Sequence, residues 1–114
     1  MRKLTVDDAE LAPENGILVG RWSQYAGLGS LPFGVMWFEV PAHGQSRTDR
    51  HPEIELAIVV AGDAIFTVNG TDTPASPGSA ILLEPDESHV VHANAEPVRV
   101  LSMYWLPEEH DDAR

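Results

Sequence analysis

The sequence predicts an all-β fold, a sandwich or small closed barrel, and three observations point to it. Short runs of strand length, apolar or alternating, recur between turn residues at roughly eight- to twelve-residue spacing, as expected of many short antiparallel strands. Asn69-Gly70, set between IFTV and TDT, is a hairpin signal of the type I′ kind. No segment carries the apolar periodicity of an amphipathic helix, and there is no internal repeat or low-complexity tract. The 114 residues read as one domain with a proper core.

Taken in order, residues 1–16 form a polar N-terminal strand or arm, with a β-prone piece at Leu4–Val6 and a turn in Pro13-Glu14-Asn15-Gly16. The barrel is expected over 17–106. Ile17–Ser23 reads as a strand. The following QYAGLGSLPFG holds three glycines and a proline in eleven residues, too many for a helix interior, and is a loop. Val35–Val40 is a strand apolar on both faces except at Glu39, as in a strand covered on both sides. Pro41–Arg50 is a loop, and the apolar strand after it ends at Gly62. DAIFTVNG gives a strand and its turn, Thr71–Thr73 begins the return, Pro74–Gly78 breaks it, and SAILLE resumes extended structure. Pro85–Ser88 turns, HVVHANA and PVRVLSMYW supply the last two strands, and 107–114 is an acidic tail.

Composition narrows the function classes. With 18 acidic and 7 basic residues the formal net charge is -11, which repels nucleic acid and anionic lipid alike. No cysteine is present, so thiolate catalysis and cysteine-held metals are excluded, and any metal sits on nitrogen and oxygen donors. The N-terminus has basic residues without an apolar run, and no stretch reaches membrane-span length. A cytoplasmic protein with a small-molecule substrate is the expectation. Tyr25, Leu28, Leu31 and Phe33 make Gln24–Phe33 more apolar than a solvated loop, which predicts a homodimer contact.

The chemistry concentrates in Gly44–Gly62, GQSRTDRHPEIELAIVVAG. On a period of two, Asp49, His51, Glu53 and Glu55 share one face of an extended segment, and Ala57, Val59 and Ala61 continue it. Glu55 therefore opens an apolar strand pointing inward. A buried carboxylate must be paired or bound to a metal, and His51 on the same face is a natural co-ligand.

The spacing His51, three residues, Glu55, six residues, Gly62 resembles the first cupin motif, G-x5-H-x-H-x3-4-E-x6-G. PGSAILLEPDESHVVHAN is similar to the second, which ends P-x-G-x2-H-x3-N. The resemblance runs from Trp37 to Trp105 and implies a small cupin, a double-stranded β-helix or jelly-roll barrel. It further implies one divalent metal ion, zinc, iron(II) or manganese, with His51, Glu55 and His89 as ligands. Two imidazoles and a carboxylate occupy one face of an octahedron and leave positions for substrate, water or dioxygen. This chain departs from the pattern in four places. Asp49 stands where H-x-H has its first histidine, the leading glycine is displaced to Gly44, Glu87 sits near the usual glycine of the second motif, and His89 comes one residue early.

Asp49 is open between a fourth metal ligand, an acceptor that fixes a ligand histidine, a proton-transfer base and an exposed loop acid; a place behind the ligands, or a weak ligand, is favoured slightly. Tyr104 is the next proton-transfer candidate. Glu53 shares the ligand parity, but its place after Pro52 suggests exposure. Substrate walls are expected from Val59 beside Glu55, from Trp37 and Phe66 unless they belong to the core, and from Met103 if the odd face of the last strand points inward. Arg50 is read as pairing with surface acids, His43 and His92 as surface histidines, and His110 as part of the tail.

The function expected is a metal-dependent enzyme acting on a small polar metabolite, of isomerase, lyase, cyclase or oxygenase type. The resemblance also implies a second candidate, a zinc cupin that forms an N–N bond from an amino acid ester of a hydroxylamine beside an aminoacyl-tRNA-synthetase-like partner enzyme. A binding module without turnover, or a structural cupin that holds no metal, would suit the same residues, because a fold does not by itself imply catalysis.

Overall fold

The computed structural model describes residues 1–108; the end of the acidic tail, with His110, lies outside the described residues. Among the described residues, nine strands form two antiparallel sheets. In chain order they are β1 (Ala12–Glu14), β2 (Ile17–Arg21), β3 (Gly34–Val40), β4 (Ile54–Ala61), β5 (Ala64–Val68), β6 (Thr71–Ala75), β7 (Ala80–Leu83), β8 (His89–Ala93) and β9 (Val98–Trp105). The larger sheet has the order β1-β2-β3-β9-β4-β7 and the smaller β6-β5-β8, the layout of a jelly-roll barrel.

Alternation along the strands builds the core. Phe38 and Val40 of β3, Ala57 and Val59 of β4, and Val98 and Val100 of β9 face Phe66 of β5 and Val91 and Ala93 of β8 in one buried cluster. Each fully buried valine or phenylalanine of this cluster contributes about 1.5–3 kcal/mol. Gly62 belongs to the first motif for a steric reason: a Cβ there would lie 2.2 Å from the Pro97 carbonyl oxygen, where the chain crosses towards β9. The turn expected at Asn69-Gly70 joins β5 to β6, with φ of 48° and 81°, the left-handed pair that a type I′ turn requires.

Four local expectations need correction. Leu4–Val6 forms no strand; instead Val6–Asp8 is a 3₁₀ turn capped by the Thr5 side chain. Glu14 belongs to β1, so the reversal narrows to Asn15-Gly16 and the N-terminal arm supplies the edge of the six-stranded sheet. Pro74 does not break the returning strand, because β6 is an edge strand and can spare the missing N–H. The Pro41–Arg50 loop is partly sheet: hydrogen bonds from His43 to Asn94, Ala93 to Gly44 and Ser46 to Val91, with a bridge between Asp49 and His89, lay it along the free edge of β8. The last of these pairings assembles the site.

Candidate metal centre

Asp49 and His89 exchange both backbone hydrogen bonds at 2.9 Å. Directly opposed residues of an antiparallel pair send their side chains to the same face. The backbone thus sets the Asp49 carboxylate beside the His89 imidazole. His51, two residues after Asp49, shares that face, and its ring meets the His89 ring edge-on with centroids 5.0 Å apart. One donor atom from each of Asp49, His51 and His89 lies within 4.8 Å of the other two, a spacing that could hold a metal ion.

The histidines are oriented for this. His51 Nδ1 lies 3.1 Å from the Glu53 carbonyl and His89 Nδ1 3.0 Å from the Glu87 carbonyl. A carbonyl only accepts, so both Nδ1 atoms donate and each Nε2 is left as the ligating nitrogen. Asp49 spends one oxygen on the Arg50 amide at 2.8 Å and keeps the other. Nitrogen and oxygen donors with tautomers already set fit a divalent transition metal.

Glu55 stands behind His51. It is buried as expected, with Oε1 2.9 Å from His51 Nε2 and Oε2 accepting from Ser102 at 2.9 Å. Neither Arg47 nor Arg50 reaches it, and among the described residues Arg50 forms no ion pair. With Nδ1 already protonated, the short contact from Nε2 to Glu55 holds a second proton on the ring. The hydrogen bond to Glu55 is the main cause, with the charges of Glu55 and Asp49 adding to it and burial opposing, and the His51 pKa rises to about 9. A metal on Nε2 must displace that proton.

A pH dependence follows. Because the folded pKa lies above the ordinary 6.5, this contact stabilises the metal-free protein fully below about pH 6.5, and the contribution is lost as pH rises through about 9. Metal-free protein should therefore show a falling thermal midpoint between those values, and metal-loaded protein, whose His51 no longer carries the proton, should not. Parallel melts across the range check this; identical pH profiles for the two forms would contradict it.

A cavity of about 210 Å³ opens over the centre, lined by Glu14, Arg21, Met36, Asp49, His51, Glu53, Glu55 and Tyr104. On β9, Val98, Val100, Ser102 and Tyr104 face inward. Tyr104 pairs with Gly34 across the sheet, and its ring fills the space of the missing side chain: a Cβ on Gly34 would lie 2.1 Å from Tyr104 Cε2. Glu53 is half-buried in the cavity wall, against the exposure expected.

The walls expected from Val59, Phe66, Trp37 and Met103 stand elsewhere. Val59 and Phe66 are sealed in the core. Trp37 is on the outer side of β3, where Nε1 donates to the Tyr25 hydroxyl at 2.9 Å and the ring packs on Trp22 beneath the Gln24–Phe33 loop. Met103 occupies the outer face of β9, since the inward face belongs to the even-numbered residues. His92 faces away from the centre and meets Thr67. Arg21, Glu14 and Met36 are cavity residues to which the sequence pattern assigned no site role. A period-two count from Ile17 and Val19 would have placed Arg21 inward, and one from Phe38 and Val40 would have added Met36. Glu14 depends on the register of the β1–β2 hairpin. It accepts two hydrogen bonds from Arg21, both 2.7 Å; they lower its pKa and raise that of the guanidinium, to which Tyr104 adds a smaller effect.

Comparison with known proteins agrees with this architecture. A cupin domain family profile matches residues 36–104. The plu4264 protein from Photorhabdus luminescens is 32% identical with a TM-score of 0.78, over 92% of this chain and 86% of its own. A cupin 2 conserved barrel domain protein from Salinispora arenicola is 24% identical, with a TM-score of 0.79 over 99% and 91% of the two chains. The polyketide cyclase RemF from Streptomyces resistomycificus is 20% identical, with a TM-score of 0.75 over 91% and 78%, a likeness of fold.

Proposed function

The chain belongs to the cupin domain family, and on that footing we propose that it is a metal-dependent enzyme acting on a small oxygen-bearing metabolite. The observation that supports this most is the convergence of Asp49, His51 and His89 beneath an open cavity. These three residues would hold a divalent ion, zinc, iron(II) or manganese, and Glu55, which holds the His51 Nε2 proton until an ion displaces it, would then be a free carboxylate beside the centre. Bound there, such an ion supplies a Lewis acid for a substrate oxygen or a site for dioxygen. Tyr104, on the same cavity wall, presents a hydroxyl that can pass a proton to or from a substrate oxygen, and Glu53 is a second proton-transfer group there.

Reactions of the isomerase, lyase and cyclase class suit this arrangement, because they need proton movement at a polarised oxygen and no further cofactor. The fold likeness to a polyketide cyclase supports the same class. The test is turnover of hydroxycarbonyl and enolisable substrates by metal-loaded protein. Tyr104→Phe should lower kcat about 10²-fold or more while leaving metal content intact. Unchanged kcat on such a substrate would remove Tyr104 from the reaction.

We also propose that the protein is a homodimer. Val60, Leu82 and Trp105 are exposed on the outer face of the larger sheet, and Leu31 and Phe33 are exposed on the loop before β3. A second copy would cover an apolar surface of this kind. Sedimentation should give twice the chain mass, and Leu82→Glu should shift the protein towards monomer; a wild-type monomer at high micromolar concentration would contradict the proposal.

A further inference from the structure

The charges around the cavity are unevenly spent. Four carboxylates face it, those of Glu14, Asp49, Glu53 and Glu55, against a single arginine, Arg21. A divalent ion at the centre would still leave this lining net negative. The arginine is the group that would ordinarily receive an anionic substrate, since its planar fork matches a carboxylate bidentately. Here that fork is already filled: Nη1 and Nη2 each donate to one oxygen of Glu14 at 2.7 Å. Glu14 sits on β1, tied by the Asn15-Gly16 turn to the strand that carries Arg21. A substrate carboxylate would have to displace a partner held at high effective concentration by the chain itself, and do so in a field of the wrong sign.

We infer that Glu14, by occupying Arg21, makes this a site for neutral oxygen chelators such as hydroxyketones and hydroxyamides, and that it excludes their carboxylate counterparts. The inference rests on the metal reading above and adds the charge class of the substrate. Glu14 is the specificity determinant, acting by repulsion of the wrong ligand as well as by holding Arg21.

The test uses the metal-loaded full chain, its metal content measured on the same sample, with glycolamide and glycolate as a size-matched neutral and anionic pair. Binding is followed by ligand-observed NMR. Wild type should bind glycolamide more tightly than glycolate. Glu14→Gln should improve glycolate binding about tenfold, the scale expected of removing one nearby charge, while glycolamide changes less than twofold. Glu14→Gln combined with Arg21→Gln should lose most of that gain, because the freed guanidinium is what receives the anion. Loss of the parent reading would register as protein without metal. Failure of this inference registers differently, as metal-loaded wild type that binds glycolate at least as well as glycolamide, or as Glu14→Gln with unchanged glycolate binding; either result overturns it.

Discussion

His89→Ala is expected to lower metal affinity by more than about 100-fold, beyond the loss typical of an outer-shell partner, while the barrel stays folded. His89 opens β8 with its side chain buried in the site, and its backbone bonds to Asp49 survive truncation of the ring. The ligating Nε2, the contact with His51 and the Nδ1 hydrogen bond to the Glu87 carbonyl disappear. His92→Ala is the matched control, since His92 lies three residues on along β8 and bonds to Thr67 on the other face. Metal titrations of the two variants decide the matter: equal losses would mean that β8 presents the wrong face to the centre.

The second large effect concerns Asp49, the residue standing where the family motif carries a histidine. Asp49→Asn keeps the shape, the backbone bridge to His89 and one carbonyl oxygen, and removes the charge. Metal affinity is expected to fall about 10- to 100-fold, and turnover with it, because the carboxylate stands within ligand distance of both histidines. The sequence alone favours a different outcome, with Asp49 beside the ligands or only a weak ligand and Asp49→Asn keeping most of its metal. What changes this is the pairing of Asp49 with His89, a contact between segments 40 residues apart that no local pattern reveals. Should Asp49→Asn hold metal as tightly as wild type, Glu55 completes the set and Asp49 acts on protons alone.

What could be read in the sequence divides along physical lines. The strand runs from Ile17 onward, the Asn69-Gly70 turn and the inward aim of Glu55 are local consequences of alternation and backbone preference, and all appear in the structure. The pairing of His51 with Glu55 was accessible for the same reason, both lying on one short segment. Faces were harder to assign where a strand is apolar on both sides. On β9, Leu101 and Met103 look as core-like as Val98 and Val100, and only the position of Ser102 against Glu55 marks the inner face. Trp37 misled for a related reason: it is buried, but by the Gln24–Phe33 loop on the outside of β3. The Arg21–Glu14 pair depends on hairpin register, which a turn one residue longer or shorter would have reversed.

The most direct test of the metal centre is elemental analysis of the chain purified without added metal, alongside His51→Ala and His89→Ala prepared identically. The expected result is one divalent ion per wild-type chain and little in either variant, with about one proton released from His51 when metal is restored at neutral pH. Wild-type protein that neither carries a divalent ion nor takes one up on titration would contradict the metal centre and the enzyme built on it.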